Sequence, residues 1–151
     1  MKRLTCTLLL CLTAALLTAC AASNADPAPT ARPLTVDLDL SKMSSTVVYS
    51  QVYNMMVEPD LYLGKVIRIA GYYSPYEDTE RGVVYHACVI PDATACCAQG
   101  IEFIRSGEYR WPDEYPAEGE DIVVTGRLTS YLEDGITYLT LADAEMVLAG
   151  K

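Results

Sequence analysis

Residues 64–71, Gly64-Lys65-Val66-Ile67-Arg68-Ile69-Ala70-Gly71, and residues 118–126, Glu118-Gly119-Glu120-Asp121-Ile122-Val123-Val124-Thr125-Gly126, decide the fold. In both stretches a glycine and polar residues come before an apolar run that ends at a second glycine. Because successive side chains of a strand point to opposite faces, Val66–Tyr73 is predicted as a strand with Ile67 and Ile69 on one face. A glycine inside a strand, such as Gly71, is typical of a bend or a bulge.

One helix and four further strands are predicted around this first strand, and the longest of these strands covers Ile122–Leu132 and contains Gly126. The helix is amphipathic, precedes all the strands, is capped by Ser44 or Ser45 and ends near Val57. Its core-facing stripe consists of Val48, Val52, Met55 and Met56. The other strands are predicted over Val83–Ile90, Ile101–Arg105 and Ile136–Leu141, and residues 143–148 either continue the last strand or form a short closing element. Asp134-Gly135 predicts a tight hairpin between the last two strands.

The two glycine-bounded stretches resemble the first and fourth strands of OB-fold domains. In that family the closing glycine lets the strand curl around a barrel. The resemblance covers most of residues 44–148 and implies a mainly β domain with one N-terminal helix and a five-stranded OB-like β-barrel. An open α+β sheet with one helix is the alternative.

The N-terminal segment predicts export and lipid anchoring. Lys2 and Arg3 precede an uncharged, leucine-rich stretch of a length that is short for a membrane span, which is the pattern of a secretory signal. The end of this stretch, Leu17-Thr18-Ala19-Cys20, resembles the lipobox of bacterial lipoproteins. In that family the cysteine is acylated, with chains such as palmitate, and becomes the first residue of the mature protein. The resemblance implies a signal peptide over residues 1–19, lipidation of Cys20 and an extracytoplasmic, membrane-anchored protein.

Composition limits the partners of the mature chain. Residues 20–33 are rich in alanine, serine and proline and predict a flexible tether, whereas residues 34–151 can form one small domain. Residues 1–19 hold two of the 11 basic residues and none of the 20 acidic ones, so the remainder has a formal charge of −11. This charge opposes contact with nucleic acid phosphates, so the expected partners are the membrane, through the anchor, and a protein or small ligand.

Residues 85–100 hold the remaining cysteines, Cys88, Cys96 and Cys97, and the only histidine, His86. If Val83, Tyr85, Ala87 and Val89 face the core, alternation places His86 and Cys88 together on the opposite face. Three interpretations remain open: a disulfide between Cys88 and either Cys96 or Cys97, a metal site, and reduced thiols that only pack. A bond directly between Cys96 and Cys97 would require a strained ring.

The metal interpretation requires the turn after this strand to fold Cys96 and Cys97 back over His86 and Cys88. The four residues would then offer one nitrogen and three sulfur donors of the kind that zinc prefers. The paired cysteines with the following alanine, glycine and apolar strand also resemble the C-terminal domain of an uncharacterised membrane-associated family linked to zinc-regulated permeases. Cys96 and Cys97 are the matching positions. The resemblance favours a metal role.

The motifs of common enzyme classes are absent from the sequence, including the Gly-x-Ser-x-Gly elbow, the phosphate-binding glycine loop and the Cys-x-x-Cys pair. We therefore expect a non-enzymatic binding or interaction module, with zinc or transition-metal binding or delivery as the alternative. Aromatic residues that could form a stacking platform, but that are also favoured in strands generally, are Tyr72, Tyr73, Tyr76, Tyr109 and Trp111.

Overall fold

The structure, a computed structural model, describes residues 34–94 and 96–150. The predicted signal peptide over residues 1–19, the tether over residues 20–33 and Cys20 lie outside the described residues. The described part is mainly β and forms these elements: β1 (Leu38–Asp39), α1 (Ser45–Val57), a 3-10 turn (Pro59–Leu61), β2 (Val66–Asp78), β3 (Val83–Pro91), β4 (Ala98–Arg105), β5 (Asp121–Glu133) and β6 (Ile136–Leu148). No helix in this part is long and apolar enough to cross a membrane.

Five strands close into a ring in the order β2-β3-β4-β6-β5, because β5 also pairs with β2. The pairs are antiparallel except for β4 with β6, which is parallel. The ring is not a regular barrel. The prediction of a β-rich fold with one N-terminal helix and five main strands is confirmed, and the β2–β5 pairing argues against the open-sheet alternative.

Strand β2 closes the ring by changing partners along its length. Its first part, Val66–Tyr72, pairs with β5, and its second part, Tyr72–Asp78, pairs with β3. Gly71 lies at the change, where an added Cβ would lie 2.5 Å from the Val89 carbonyl oxygen. The glycine therefore permits a close approach of two backbones, one of the roles expected for a glycine inside a strand.

Helix α1 packs on β3 and β4 and buries Val48, Val52 and Met55. The prediction that Met56 belongs to the same stripe is wrong, since 48% of its surface is exposed. The core combines this helix face with residues from all five ring strands: Ile67, Ile69, Tyr73, Cys88, Ile90, Ile101, Phe103, Ile122, Val124, Leu128, Leu141 and Ala144.

The strands are longer than predicted, and the short β1, which pairs in parallel with β2, was not predicted. Residues 143–148 continue β6, one of the two predicted outcomes. Asp134 and Gly135 form the hairpin turn with positive φ angles of 50° and 80°, as the dipeptide indicated.

The predicted core face of β3 is wrong. Cys88 and Ile90 are the buried residues of this strand, whereas Val83 is 42% exposed. Both faces of β3 carry small or apolar residues, so alternation alone did not distinguish the core face from the outer face.

Candidate functional site

The candidate site is a cleft where β3 and β4 separate. Their ladder runs from Pro91↔Ala98 to Ala87↔Glu102. Before Ala87, β3 continues to pair with β2, and after Glu102, β4 continues to pair with β6. The strands leave a cleft of about 560 Å³ between them. Its walls are Val83, Val84, Tyr85, His86, Glu102, Phe103, Ile104, Arg105, Gly107, Glu108, Tyr109, Tyr115, Tyr131 and Glu133.

His86 lies among aromatic rings in this cleft. Its Nδ1 is hydrogen bonded to the Tyr73 hydroxyl at 2.8 Å, and its ring stacks on Tyr115 with 4.0 Å between centroids. Phe103 lies on the same cluster, 6.1 Å from the imidazole centroid. Partial burial, with a smaller effect from the charge of Arg105, lowers the pKa of His86 to about 4. The imidazole is therefore neutral at pH 7.

The connection between β4 and β5 covers one side of the cleft. The Arg105 guanidinium lies over the Tyr109 ring, 3.3 Å from its centroid, and donates a hydrogen bond to the Glu114 carbonyl oxygen. Tyr115, from the same connection, stacks on His86. These contacts fasten the connection to the end of β4, so its tyrosines are held in place as walls.

The opposite wall consists of hydrogen-bonded tyrosine and glutamate side chains. The Tyr131 hydroxyl donates to Glu102, and the Tyr85 hydroxyl donates to Glu133 at 2.7 Å. Desolvation raises the pKa of Glu102, although the hydrogen bond from Tyr131 opposes this shift. Tyr138 stacks on Tyr131 with 5.5 Å between centroids. This wall is acidic, and one oxygen of each of its two carboxylates accepts a hydrogen bond from a tyrosine.

Arg81 links the tips of two hairpins beside this wall. It pairs with Asp78 of its own hairpin and with Glu133 and Asp134 of the β5–β6 hairpin. An adjoining depression of about 400 Å³ lies next to Arg81 and shares Tyr85, Glu102 and Glu133 with the cleft. The ion pairs therefore hold the two hairpin tips together at one end of the site.

The structure separates the cysteines that the sequence grouped. Cys88 is a free thiol in the core with no exposed surface, and burial raises its pKa to about 12. Cys96 and Cys97 are free and exposed on the β3–β4 loop. The Asp92 amide donates to the Cys97 carbonyl oxygen, so Cys97 lies opposite a residue four positions beyond Cys88.

At about 3.3 Å per strand residue, Cys97 lies roughly 13 Å from Cys88 along the ladder. A disulfide requires Cα atoms within about 7 Å. The structure thus does not bring Cys88 to either loop cysteine, and it does not assemble the four predicted ligands His86, Cys88, Cys96 and Cys97. Among the described residues, the one convergent group of metal-ligand types is Asp92, Cys96 and Cys97. Asp92 was not predicted.

Several cleft residues were also not predicted. Of the suggested stacking residues, Tyr109 lines the cleft and Tyr73 lies beneath it in the core, but Tyr85, Tyr115 and Tyr131 were not singled out. Their spacing along the chain carries no signal beyond the general preference of aromatic residues for strands. No family model matches the chain, and a search of curated proteins found no significant relative.

Proposed function

We propose that this chain is an extracytoplasmic lipoprotein, anchored through Cys20, whose domain is a non-enzymatic module that binds a small ligand in the β3–β4 cleft. The anchor is supported by the basic start, the leucine-rich stretch and the lipobox-like residues 17–20. The binding role is supported by one observation above all, the separation of β3 from β4 that leaves an aromatic cleft of about 560 Å³. This volume is within the range typical of ligand sites.

The walls of the cleft indicate the class of ligand. Tyrosine rings offer flat apolar surface, while Glu102 and Glu133 offer acceptors. The edge of each strand that faces away from its remaining partner also offers backbone donors and acceptors. The acidic side chains and the charge of −11 disfavour phosphates. We therefore propose a neutral or cationic ligand with an aromatic ring.

The non-enzymatic part of the proposal rests on the state of the reactive groups. With a pKa of about 4, His86 is a weak base, and its Nδ1 already bonds to Tyr73. A general base works best with a pKa near the operating pH. Cys88, with a pKa of about 12, carries almost no thiolate at neutral pH. Neither residue is tuned as a general base or a nucleophile.

Ligand-observed NMR with a panel of tyramine, tryptamine and indole tests the binding proposal. Ile104 lines the cleft and is 61% exposed, so Ile104→Lys changes the cleft without disturbing the core. Val147 is similarly exposed at 55% but lies outside the cleft, which makes Val147→Lys the matched control. We expect saturation transfer from the wild type and the control to the probes, and its loss with Ile104→Lys, because the lysine removes apolar surface and repels a cationic ligand. Absence of transfer from the wild type, or equal transfer from all three proteins, would overturn the proposal.

The alternative function, zinc or transition-metal binding or delivery, is supported by the loop between β3 and β4. This loop brings the thiols of Cys96 and Cys97 together with the carboxylate of Asp92, without His86 or Cys88.

A further inference from the structure

The loop between β3 and β4 is folded around the Asp92 side chain. The backbone amides of Thr94 and Cys96 each donate to Oδ1 of Asp92 at 3.0 Å. The Asp92 amide in turn donates to the Cys97 carbonyl oxygen at 2.8 Å. These bonds hold the carboxylate beside both cysteine side chains.

Three donor atoms converge as a result. The Sγ atoms of Cys96 and Cys97 are 3.7 Å apart, and Cys96 Sγ lies 3.6 Å from Oδ2 of Asp92. One ligand atom from each of the three residues lies within 4.8 Å of the other two. Both cysteines are exposed, so an ion can reach them from solvent.

The two shorter separations match the edges of a tetrahedron around one zinc ion. With Zn–S bonds of about 2.3 Å and a tetrahedral angle, two sulfurs on one zinc are about 3.8 Å apart. With a Zn–O bond of about 2.1 Å, a sulfur and an oxygen are about 3.6 Å apart. We propose that Asp92, Cys96 and Cys97 form a zinc site of three protein donors with its fourth position open to water or to an outside ligand.

The charge of the loop favours this site. Two thiolates and a carboxylate carry three negative charges, and zinc binding would release the two thiol protons. Residues 82–104 contain no lysine or arginine, so no basic residue of this segment competes for the donors. The oxygen donor favours Zn²⁺ over Cu⁺, since Cu⁺ is selected by sulfur ligands alone. The open position suits exchange of the ion rather than permanent structural use.

The proposal goes beyond the ligand cleft, since none of its three residues lines that cleft. It also differs from the set predicted from sequence, because Asp92 takes part and His86 and Cys88 do not. Without zinc, the two Sγ atoms lie within hydrogen-bond distance of each other.

Competition for Zn²⁺ between the reduced, purified protein and a chromogenic chelator tests the site. The test variants are Asp92→Asn, which keeps the side-chain shape, and Cys97→Ser. Asp113→Asn is the control for an exposed aspartate elsewhere, and Cys88→Ala is the control for a cysteine outside the proposed site. Co²⁺ titration adds a direct readout, because cobalt bound by thiolate shows charge-transfer absorption.

We expect the wild type and both controls to bind one Zn²⁺ at this loop with equal affinity. Asp92→Asn and Cys97→Ser should each reduce the affinity for Zn²⁺ by more than roughly tenfold, which is the loss expected when only an outer-shell partner is removed. Circular dichroism should be unchanged in both, because the loop lies outside the core. The proposal fails if the wild type does not compete for Zn²⁺, if Asp92→Asn binds as the wild type does, or if Cys88→Ala loses affinity equally. None of these outcomes depends on ligand binding in the cleft.

Discussion

The Cys88 thiol occupies space that the absence of a side chain at Gly71 leaves free. A Cβ added at Gly71 would lie 2.8 Å from Cys88 Sγ and 2.5 Å from the Val89 carbonyl oxygen. The two residues therefore form one packing unit at the point where β2 changes partner from β5 to β3. The arrangement accounts for a buried cysteine without a disulfide or a metal.

Gly71→Ala should destabilise the fold by about 1–3 kcal/mol, the usual cost of overpacking a core. The carbonyl oxygen belongs to the backbone of a paired strand and cannot move aside cheaply. Gly100→Ala is the matched control, because its Cβ would meet Val89 Cγ2 at 3.5 Å, an ordinary contact. Chemical denaturation of both variants measures the difference in free energy of unfolding. Equal stability of the two variants would show that the close approach at Gly71 is not rigid.

Local sequence patterns predicted most of the secondary structure. The alternation around Ile67 and Ile69, the helical spacing of Val48, Val52 and Met55, and the Asp134-Gly135 turn are short-range signals, and each was reproduced. The core face of β3 was not predictable in this way, because it depends on how Cys88 fits over a glycine of the neighbouring strand.

The site depended even more on tertiary structure. The cleft exists because pairing of β3 with β4 stops at Ala87↔Glu102, and no local pattern in the sequence encodes that point. Grouping His86 with the three cysteines assumed that the loop folds back over the strand. The register instead extends the hairpin and places Cys97 opposite Asp92, well beyond Cys88. Asp92 thereby became a neighbour of the cysteine pair.

Thiol reactivity should divide the domain cysteines into two classes. With a pKa of about 12, roughly one Cys88 in 10⁴ is a thiolate at pH 8, and its side chain has no exposed surface. Cys96 and Cys97 are exposed. In native protein from which residues 1–19 have been removed and Cys20 is acylated, an aromatic disulfide reagent should react rapidly with two thiols, and a third should appear on denaturation. A single thiol that reacts in the native protein would instead indicate a disulfide between Cys88 and a loop cysteine, whereas a single thiol that reacts only after denaturation would indicate a Cys96–Cys97 disulfide.

Lipidation should depend on Cys20 alone. In a bacterium grown with labelled palmitate, the full chain should carry label and sediment with membranes. Two or more acyl chains on one residue are enough to hold a protein at the bilayer. Cys20→Ser should carry no label and should keep residues 1–19, because the acylated cysteine marks the cleavage point in the family that the lipobox resembles. Cys11→Ser, within the segment predicted to be removed, is the control and should behave as the wild type does. Label on Cys20→Ser, or none on the wild type, would refute the anchor.

The stability of the fold should fall between pH 6.5 and pH 4 because of His86, the only histidine. An unfolded imidazole takes up a proton near pH 6.5, whereas folded His86 does so only near pH 4, since burial disfavours its charged form. Above about pH 6.5 both states are neutral and no penalty arises. As the pH falls through this range, the unfolded state gains protons first and is favoured.

His86→Asn removes this titration, and comparison of the two proteins cancels the effect of the carboxylates that titrate in both. At pH 7 the variant should be the less stable protein, because it loses the stacking on Tyr115 and alters the hydrogen bond with Tyr73. Between pH 7 and pH 4.5 the difference in free energy of unfolding should narrow, since only the wild type pays for holding His86 neutral. Urea titrations at pH 7, 5.5 and 4.5 measure this difference. A constant gap would mean that His86 has an ordinary pKa and is open to solvent rather than enclosed by the aromatic cluster.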